Sequence, residues 1–307
     1  MTDKMLLIPH IRIQNANALS SPFTIGFPAM TAWLGAVHAL QRKLNQIGVH
    51  AQFDGVGVVS HQFDLKTYKG PKDFEYSIVG TANPLDKDGK RPSFIEEARC
   101  HLEVSLVIQY DGIDKAQEPI ALKKIKHCLS GQLKMAGGDI LSFGQPLLYR
   151  EFKLLKRALM PGYALIERRE LMIEAMKQGQ DAIDAMLDYL AIHHFCERQE
   201  EQYGESQVTW RSERKSTGNN GERGWIVPIA TGYQGISDLG MSKNQRDPAT
   251  PHRFAEAIVT LGEFRMVYRL NSPEELFWHY HHDIGNGLYL CQQTLTDSQT
   301  LLSEDGF

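Results

Sequence analysis

Three long segments of this chain alternate apolar and polar residues with a period of two, and their placement limits the folds open to it. MLLIPHIRIQ (5–14) sets Ile11 and Ile13 against His10, Arg12 and Gln14. AQFDGVGVVSHQFDLK (51–66) has Phe53, Val59, Phe63 and Leu65 among its apolar positions. RCHLEVSLVIQY (99–110) turns Cys100, Leu102, Val104 and Leu106 one way and Arg99, His101, Glu103 and Ser105 the other. Side chains alternate across a strand, so these runs read as half-buried strands. Between the first two, Met30, Trp33, Leu34, Val37, Leu40, Leu44 and Ile47 recur at helical steps. Pro28 suits the first turn and Gly48 the end, leaving His38, Gln41, Arg42 and Asn45 on the outer stripe. A second helix at about 114–130 and the loop LKMAGGDIL lead into another strand. Strand, helix, strand, strand, helix, strand is the ferredoxin-like α+β plan, in which the helices cover one sheet face and leave the other free. RNA-recognition modules expose that face, but here Arg99, His101 and Glu103 stand where stacking rings would be.

Residues 66–98 are rich in Gly, Pro, Asp and Lys and read as an exposed β-hairpin inserted between core strands. The expected division is a core over 1–160 and a C-terminal α/β lobe over 161–307. In the lobe, EFKLLKRALMPGYALIERREL predicts a basic helix, a Pro-Gly stop, a short strand and another helix. Residues 181–197 continue helically, with Ile183, Met186, Leu187, Leu190 and His194 roughly on one face. The polar span 198–223 reads as a mobile loop. GWIVPIATGYQGIS returns to strand, and SPEELFWHYHHD reads as a capped helix before a last strand.

The net charge of −4 argues against a protein that coats nucleic acid by bulk electrostatics, but the charge is unevenly spread. From Glu118 to Arg169 ten bases face four acids, from Glu170 to Glu205 nine acids face two bases, and no Lys or Arg follows Arg269. One basic surface and separate acidic ones are expected. The short, broken apolar run at the start and the scattered Cys100, Cys128, Cys196 and Cys291 predict a cytoplasmic protein with reduced thiols, no membrane span and no cofactor.

His279, His281, His282 and Asp283 are the sharpest invitation to a metal, and a metal-dependent hydrolase built on His281, His282 and Asp283 is one alternative. On a helix these positions splay instead of sharing the face that HExxH uses. His193, His194, Cys196 and Glu197 invite a nucleophilic reading, with a plain surface as the simpler one. Gly55 and Gly57 lack the rest of a dinucleotide fingerprint. Lys134, Gly137 and Gly138 offer close backbone approach and free N–H groups to a phosphate, or simply stop a helix. Arg150, Lys153, Lys156 and Arg157 form a stripe suited to a phosphate track. Arg246 and Arg253 lie in a loop bracketed by prolines. A pure protein scaffold is the remaining alternative.

RIQNANALSSP, GFPAMTAWLGAVHALQRKL, RCHLEVSL, AGGDIL, LMPGYALIERREL, GWIVPIATGYQGIS and RDPATPHRF, in that order, span nearly the whole chain. Together they resemble the Csy2-type subunit of the type I-F CRISPR surveillance complex. The resemblance implies a RAMP-type ferredoxin-like core with an inserted thumb at 66–98. It implies a non-catalytic subunit for antiviral DNA interference that binds the 5′ handle of CRISPR RNA. Implied partners are the large PAM-reading subunit and the repeated backbone subunit, with target DNA met only indirectly. The RNA-facing residues it implies are Gln14, Asn15, Asn17, Arg42, Lys134, Gly137, Gly138, Lys153, Arg157, Arg246 and Arg253.

Overall fold

The computed structural model describes residues 4–79, 87–90, 97–200, 206–217, 224–243, 245, 247 and 249–293. Strand β1 (Met5–Asn17), helix α1 (Met30–Gln46), strands β2 (Gln52–Leu65) and β3 (Arg99–Asp111), and helix α2 (Glu118–Gly131) follow the expected order. Three short strands come next: β4 (Lys134–Met135), β5 (Gly138–Ser142) and β6 (Leu147–Tyr149). Helix α3 (Phe152–Ala158), strand β7 (Tyr163–Glu167) and helices α4 (Arg169–Lys177) and α5 (Ala182–Leu190) lead to the last group. That group is β8 (His193–Glu200), β9 (Ser206–Glu213), β10 (Trp225–Gly235), β11 (Ala255–Met266), β12 (His279–Asp283) and β13 (Leu288–Gln292).

One antiparallel sheet runs β12-β13-β10-β11-β7-β2-β3-β1-β5-β4, with β6 beside the start of β1. Strands from both sides of residue 160 therefore share it, because β7 pairs with β2 through Tyr163↔Ser60 and Ala164↔Val59. The sheet curls until its far end returns to β2, where Val56 and Trp278 exchange two backbone hydrogen bonds of 2.9 and 3.0 Å. Gly55 and Gly57 explain themselves here. A Cβ on Gly57 would lie 2.4 Å from Leu276 Cγ, and one on Gly55 2.9 Å from His279 Cε1. They are the close-packing sites that let the returning segment lie on β2.

The period-two runs of β1 and β3 place their apolar sets as expected, whereas in β2 a register shift between Ser60 and Gln62 breaks the alternation, so that Val59 joins a second core and Phe63 is 40% exposed. Ile8, Ile11, Ile13, Leu102, Val104 and Leu106 pack under Trp33, Leu40 and Leu44 of α1 and Ile125 of α2. The opposite face is not wholly free, which corrects the expectation. Met5, Leu7, Val59 and Val107 form a second core with Leu155 and Leu159 around α3 and with Val267–Phe277. The reason is legible in hindsight: β1 begins with four consecutive buried residues, apolar on both faces.

Three further expectations in the second half are corrected. The helix predicted over 181–197 ends at Leu190, and His193–Glu200 is a strand paired with Ser206–Glu213. Asp181 caps the start of that helix by accepting from the Ile183 N–H, whereas its end lacks an amphipathic continuation. The polar span thus contains a strand, and 201–205 and 218–223 lie outside the described residues. The capped helix expected at 272–283 is a single 3-10 turn at Pro273–Glu275 followed by strand β12. At 66–98 a short pair, Thr67–Tyr68 with Ser77–Ile78, is described, and 80–86 and 91–96 lie outside. No helix among the described residues is long and apolar enough to cross a membrane.

Candidate nucleic-acid interface

Gln14, Asn15 and Asn17 sit where β1 is irregular. Its register against β3 shifts between Ile13 and Ala16, and Asn15 adopts φ +57°. Asparagine tolerates this left-handed conformation better than most residues. Lys66 Nζ donates to Asn15 Oδ1 at 2.6 Å, Arg99 donates to the Asn15 carbonyl at 3.4 Å, and the Asn15 N–H reaches His101 Nδ1 at 3.3 Å. The Asn17 side chain closes a small turn, donating to the Leu19 carbonyl and accepting from the Leu19 N–H.

AGG is a tight hairpin turn rather than a helix stop. Met135 pairs with Gly138, and between them Ala136 (φ +48°) and Gly137 (φ +75°) both lie in the left-handed region. Two such residues give the primed turn that matches strand twist. Gly138 must be glycine for another reason: a Cβ there would lie 2.7 Å from the Gln14 carbonyl oxygen and 2.8 Å from the Ala16 nitrogen. The two turns are thereby locked together, because the Asn17 N–H donates to the Ala136 carbonyl at 2.7 Å.

Asn17, Lys134 and Gly137 then line one end of a 710 Å³ cleft. Its floor is α1, where Ala32, Gly35, Ala36 and Ala39 keep side chains short, and its far wall is Tyr233 and Tyr289. Ala29 at the α1 N-terminus supplies no side-chain cap, and Ala29, Thr31 and Ala32 of the first turn line this cleft. Lys134 pairs with Asp139 at 2.9 Å, both well exposed. Such a pair is worth about 0–1 kcal/mol and yields readily to a phosphate. A second pocket, which shares Gly35 and Tyr289 with this cleft, is lined by His38 of α1 and by Tyr280. Gln41 and Asn45 of the outer stripe serve the fold, accepting from the N–H groups of Phe53 and Ala51.

The remaining candidates lie elsewhere. Arg42 is exposed on α1, and Lys153 and Arg157 are exposed on α3, which covers the second core on the other side of the sheet. Arg150 and Lys156, from the same basic run, are engaged with Glu118 and with the Leu270 carbonyl. Arg253 lies half-buried across Gly235 and Gly287, at the end of the ladder that carries Tyr233 and Tyr289. Arg246 lies outside the described residues. Sequence reasoning did not select Lys66, Arg99, Tyr233 or Tyr289 for the site. Arg99 was legible as outward-facing, but its nearness to Asn15 needed the register; the tyrosines carry no local signal.

Strand geometry decides the histidine cluster. In β12, His281 and Asp283 share one face and His282 points to the other, so the three do not converge. Asp283 accepts from the Asn286 backbone and side chain, while the His282 ring stacks on Tyr280 at 5.5 Å. Among the described residues no three His, Cys, Asp or Glu side chains are grouped to hold a metal. Burial pushes the Cys100 and Cys291 thiols up to about 12, far from thiolate reactivity at neutral pH.

The polar sheet face beside the amide turn carries a second histidine pair. His10 bonds Glu103 at 2.8 Å, and its ring lies 4.4 Å from that of His61. His61 spends one nitrogen on the Pro161 carbonyl and the other on Ser105 Oγ, each at 2.7 Å. Burial, opposed by the Pro161 bond and aided by His10, holds the His61 pKa below its ordinary value. A depressed histidine pKa means the unfolded chain binds the proton more readily. Its stabilising effect is therefore complete above about pH 6.5 and is lost as pH falls toward the folded value. Urea midpoints at pH 7 and pH 5 should fall less in His61→Gln than in the parent chain.

The family model for CRISPR-associated protein (Cas_Csy2) matches residues 6–291. The chain belongs to the Csy2 family of CRISPR-associated proteins. It is similar to CRISPR-associated protein Csy2 of Pseudomonas aeruginosa (strain UCBPP-PA14), 34% identical over 319 residues covering 94% of each protein. The Csy2 match runs from β1 through β13 and so takes in both turns, the cleft and the returning strands.

Proposed function

We propose that this Csy2 chain is a non-catalytic RNA-binding subunit of a type I-F CRISPR complex, holding the 5′ handle of CRISPR RNA at the amide and glycine turns. One observation carries the reading. Asn15–Asn17 and Ala136–Gly138, distant in sequence, are locked together at the mouth of an open cleft, with Lys66, Arg99 and Lys134 around them. Amides donate and accept at once, which suits base edges and sugars, and the cations neutralise phosphates. Strand order β5-β1-β3-β2, with α1 and α2 on one face, supports the ferredoxin-like RAMP core.

Arg42, Lys153, Arg157, Arg246 and Arg253 then serve as outlying phosphate contacts. The large PAM-reading subunit and the repeated backbone subunit are the protein partners, the 66–98 hairpin is the thumb set against a neighbour, and target DNA is met indirectly. The net charge of −4 makes RNA affinity depend on several subunits surrounding one strand. The test reverses Lys66 and Lys134 to Glu and titrates guide retention by the assembled complex against salt. Retention should weaken, and the log–log slope should become shallower by about 0.7 per lost phosphate contact. The same titration on Lys153→Glu with Arg157→Glu decides whether the track extends to α3. An unchanged slope removes the reversed pair from the interface.

A further inference from the structure

Resting on the RNA-binding reading, we infer that the wedge between β2 and β7 is a stacking pocket for one unpaired nucleobase of the same strand. Strand β7 begins at Tyr163 opposite Ser60, while β2 runs on to Leu65, so the pairing of the two ends there and the sheet opens. The split is an opening of 370 Å³ walled by aromatic rings. Trp225 is 59% exposed and meets Tyr163 and Phe264 edge-on at 6.3 and 6.1 Å. Phe27 forms the base, in contact with Phe63 and Phe264 at 6.1 and 5.2 Å.

A fold that needed these rings only for packing would bury them. Instead Trp225, Tyr163 and Phe63 present faces to solvent in a concave site. Flat π-faces around a slot suit a planar heterocycle, which stacks on such rings whatever its sequence identity. The polar edge of a base also has a partner. Gln62 borders the wedge with its amide exposed, and among the described residues that amide makes no hydrogen bond within the chain. Gln62 also borders the shallow depression holding Arg12, Gln14 and His101. The wedge is thus continuous with the polar sheet face that ends at the amide turn, so a strand held at Gln14 can turn one base into it. A nucleobase offers a π-face to the rings and a hydrogen-bonding edge to this amide from one planar group.

The experiment uses the full chain in complex with its guide, crosslinked with short-wave ultraviolet light, which activates all four natural bases, and followed by peptide mapping. Adducts on peptides containing Gln62, Tyr163 or Trp225 are expected, and Trp225→Ala should weaken guide retention about 5- to 100-fold, the worth of one stacked base. Trp225→Phe, which keeps a ring, should retain most of the affinity and shows that the loss is not unfolding. Adducts at Gln14–Asn17 with none in the wedge overturn the pocket and leave the RNA reading standing. Adducts nowhere on the chain overturn both. Loss of a protein subunit from Trp225→Ala, with RNA adducts elsewhere unchanged, overturns the pocket in favour of a protein anchor.

Discussion

Glu263→Ala is expected to destabilise the chain by about 3–5 kcal/mol, because it strips the buried Arg168 guanidinium of its buried counter-charge and leaves only the exposed Glu170. The Arg168 side chain is 12% exposed and that of Glu263 9%. Arg168 bonds Glu263 and Glu170 and donates to the Thr217 carbonyl at 2.8 Å; Arg265 adds a bond to Glu263 at 2.9 Å. Burial pushes the Glu263 carboxyl up, but the bonds and charges of Arg265 and Arg168 outweigh it and hold the pKa below its ordinary value. This carboxylate therefore stabilises the fold above its unfolded pKa, and that stability is lost as pH falls through the folded value. The cost lies in the orphaned partner more than in the pair itself. Arg168→Met combined with Glu263→Leu should accordingly lose less than either single change to alanine. Urea unfolding of the four proteins decides it. A Glu263→Ala chain within about 1 kcal/mol of the parent, the worth of an exposed pair, would contradict the account.

Trp278→Ala should cost a similar amount, about 3–5 kcal/mol, and its effect should be local in a recognisable way. Trp278 is fully buried, its indole N–H donates to the Leu165 carbonyl at 2.9 Å, and its backbone closes the curled sheet onto Val56. Truncation leaves a large cavity and an unpaired carbonyl at the seam. Amide exchange at Val56 and Trp278 should then accelerate more than exchange at the Ile11–Ala16 end of the β1–β3 ladder, whose partners Val104 to Cys100 sit opposite Ser60 to Leu65 of β2, away from the seam. Trp278→Phe keeps a ring without the N–H and should lose less. Uniform acceleration across the sheet would mean that the seam is not a separate unit.

Much of the candidate interface is legible in residue order. Gln14, Asn15 and Asn17 stand out as amides in a strand end, and the paired glycines at 137 and 138 stand out beside Lys134. What no local pattern carried was that these two stretches touch, since that depends on β5 lying beside β1 in a register where the Asn17 N–H meets the Ala136 carbonyl. The errors have equally particular causes. HYHHD has no strong preference for either period, so a capping sequence before it reads as a helix, and only pairing with β13 makes it a strand. His193–Glu200 was misassigned for the same reason, being stabilised by its partner strand.

Patterning that repeats every two or three-to-four residues is written in the chain itself, because each side chain's burial follows from its own neighbours along the backbone. That is why β1, α1, β2, β3 and α2 are legible in residue order, together with the buried faces of β1, α1 and β3. Closure onto Val56, the second core beneath α3 and the aromatic wedge depend on segments meeting across long sequence separations. Such meetings are settled by total packing, and no local periodicity records them.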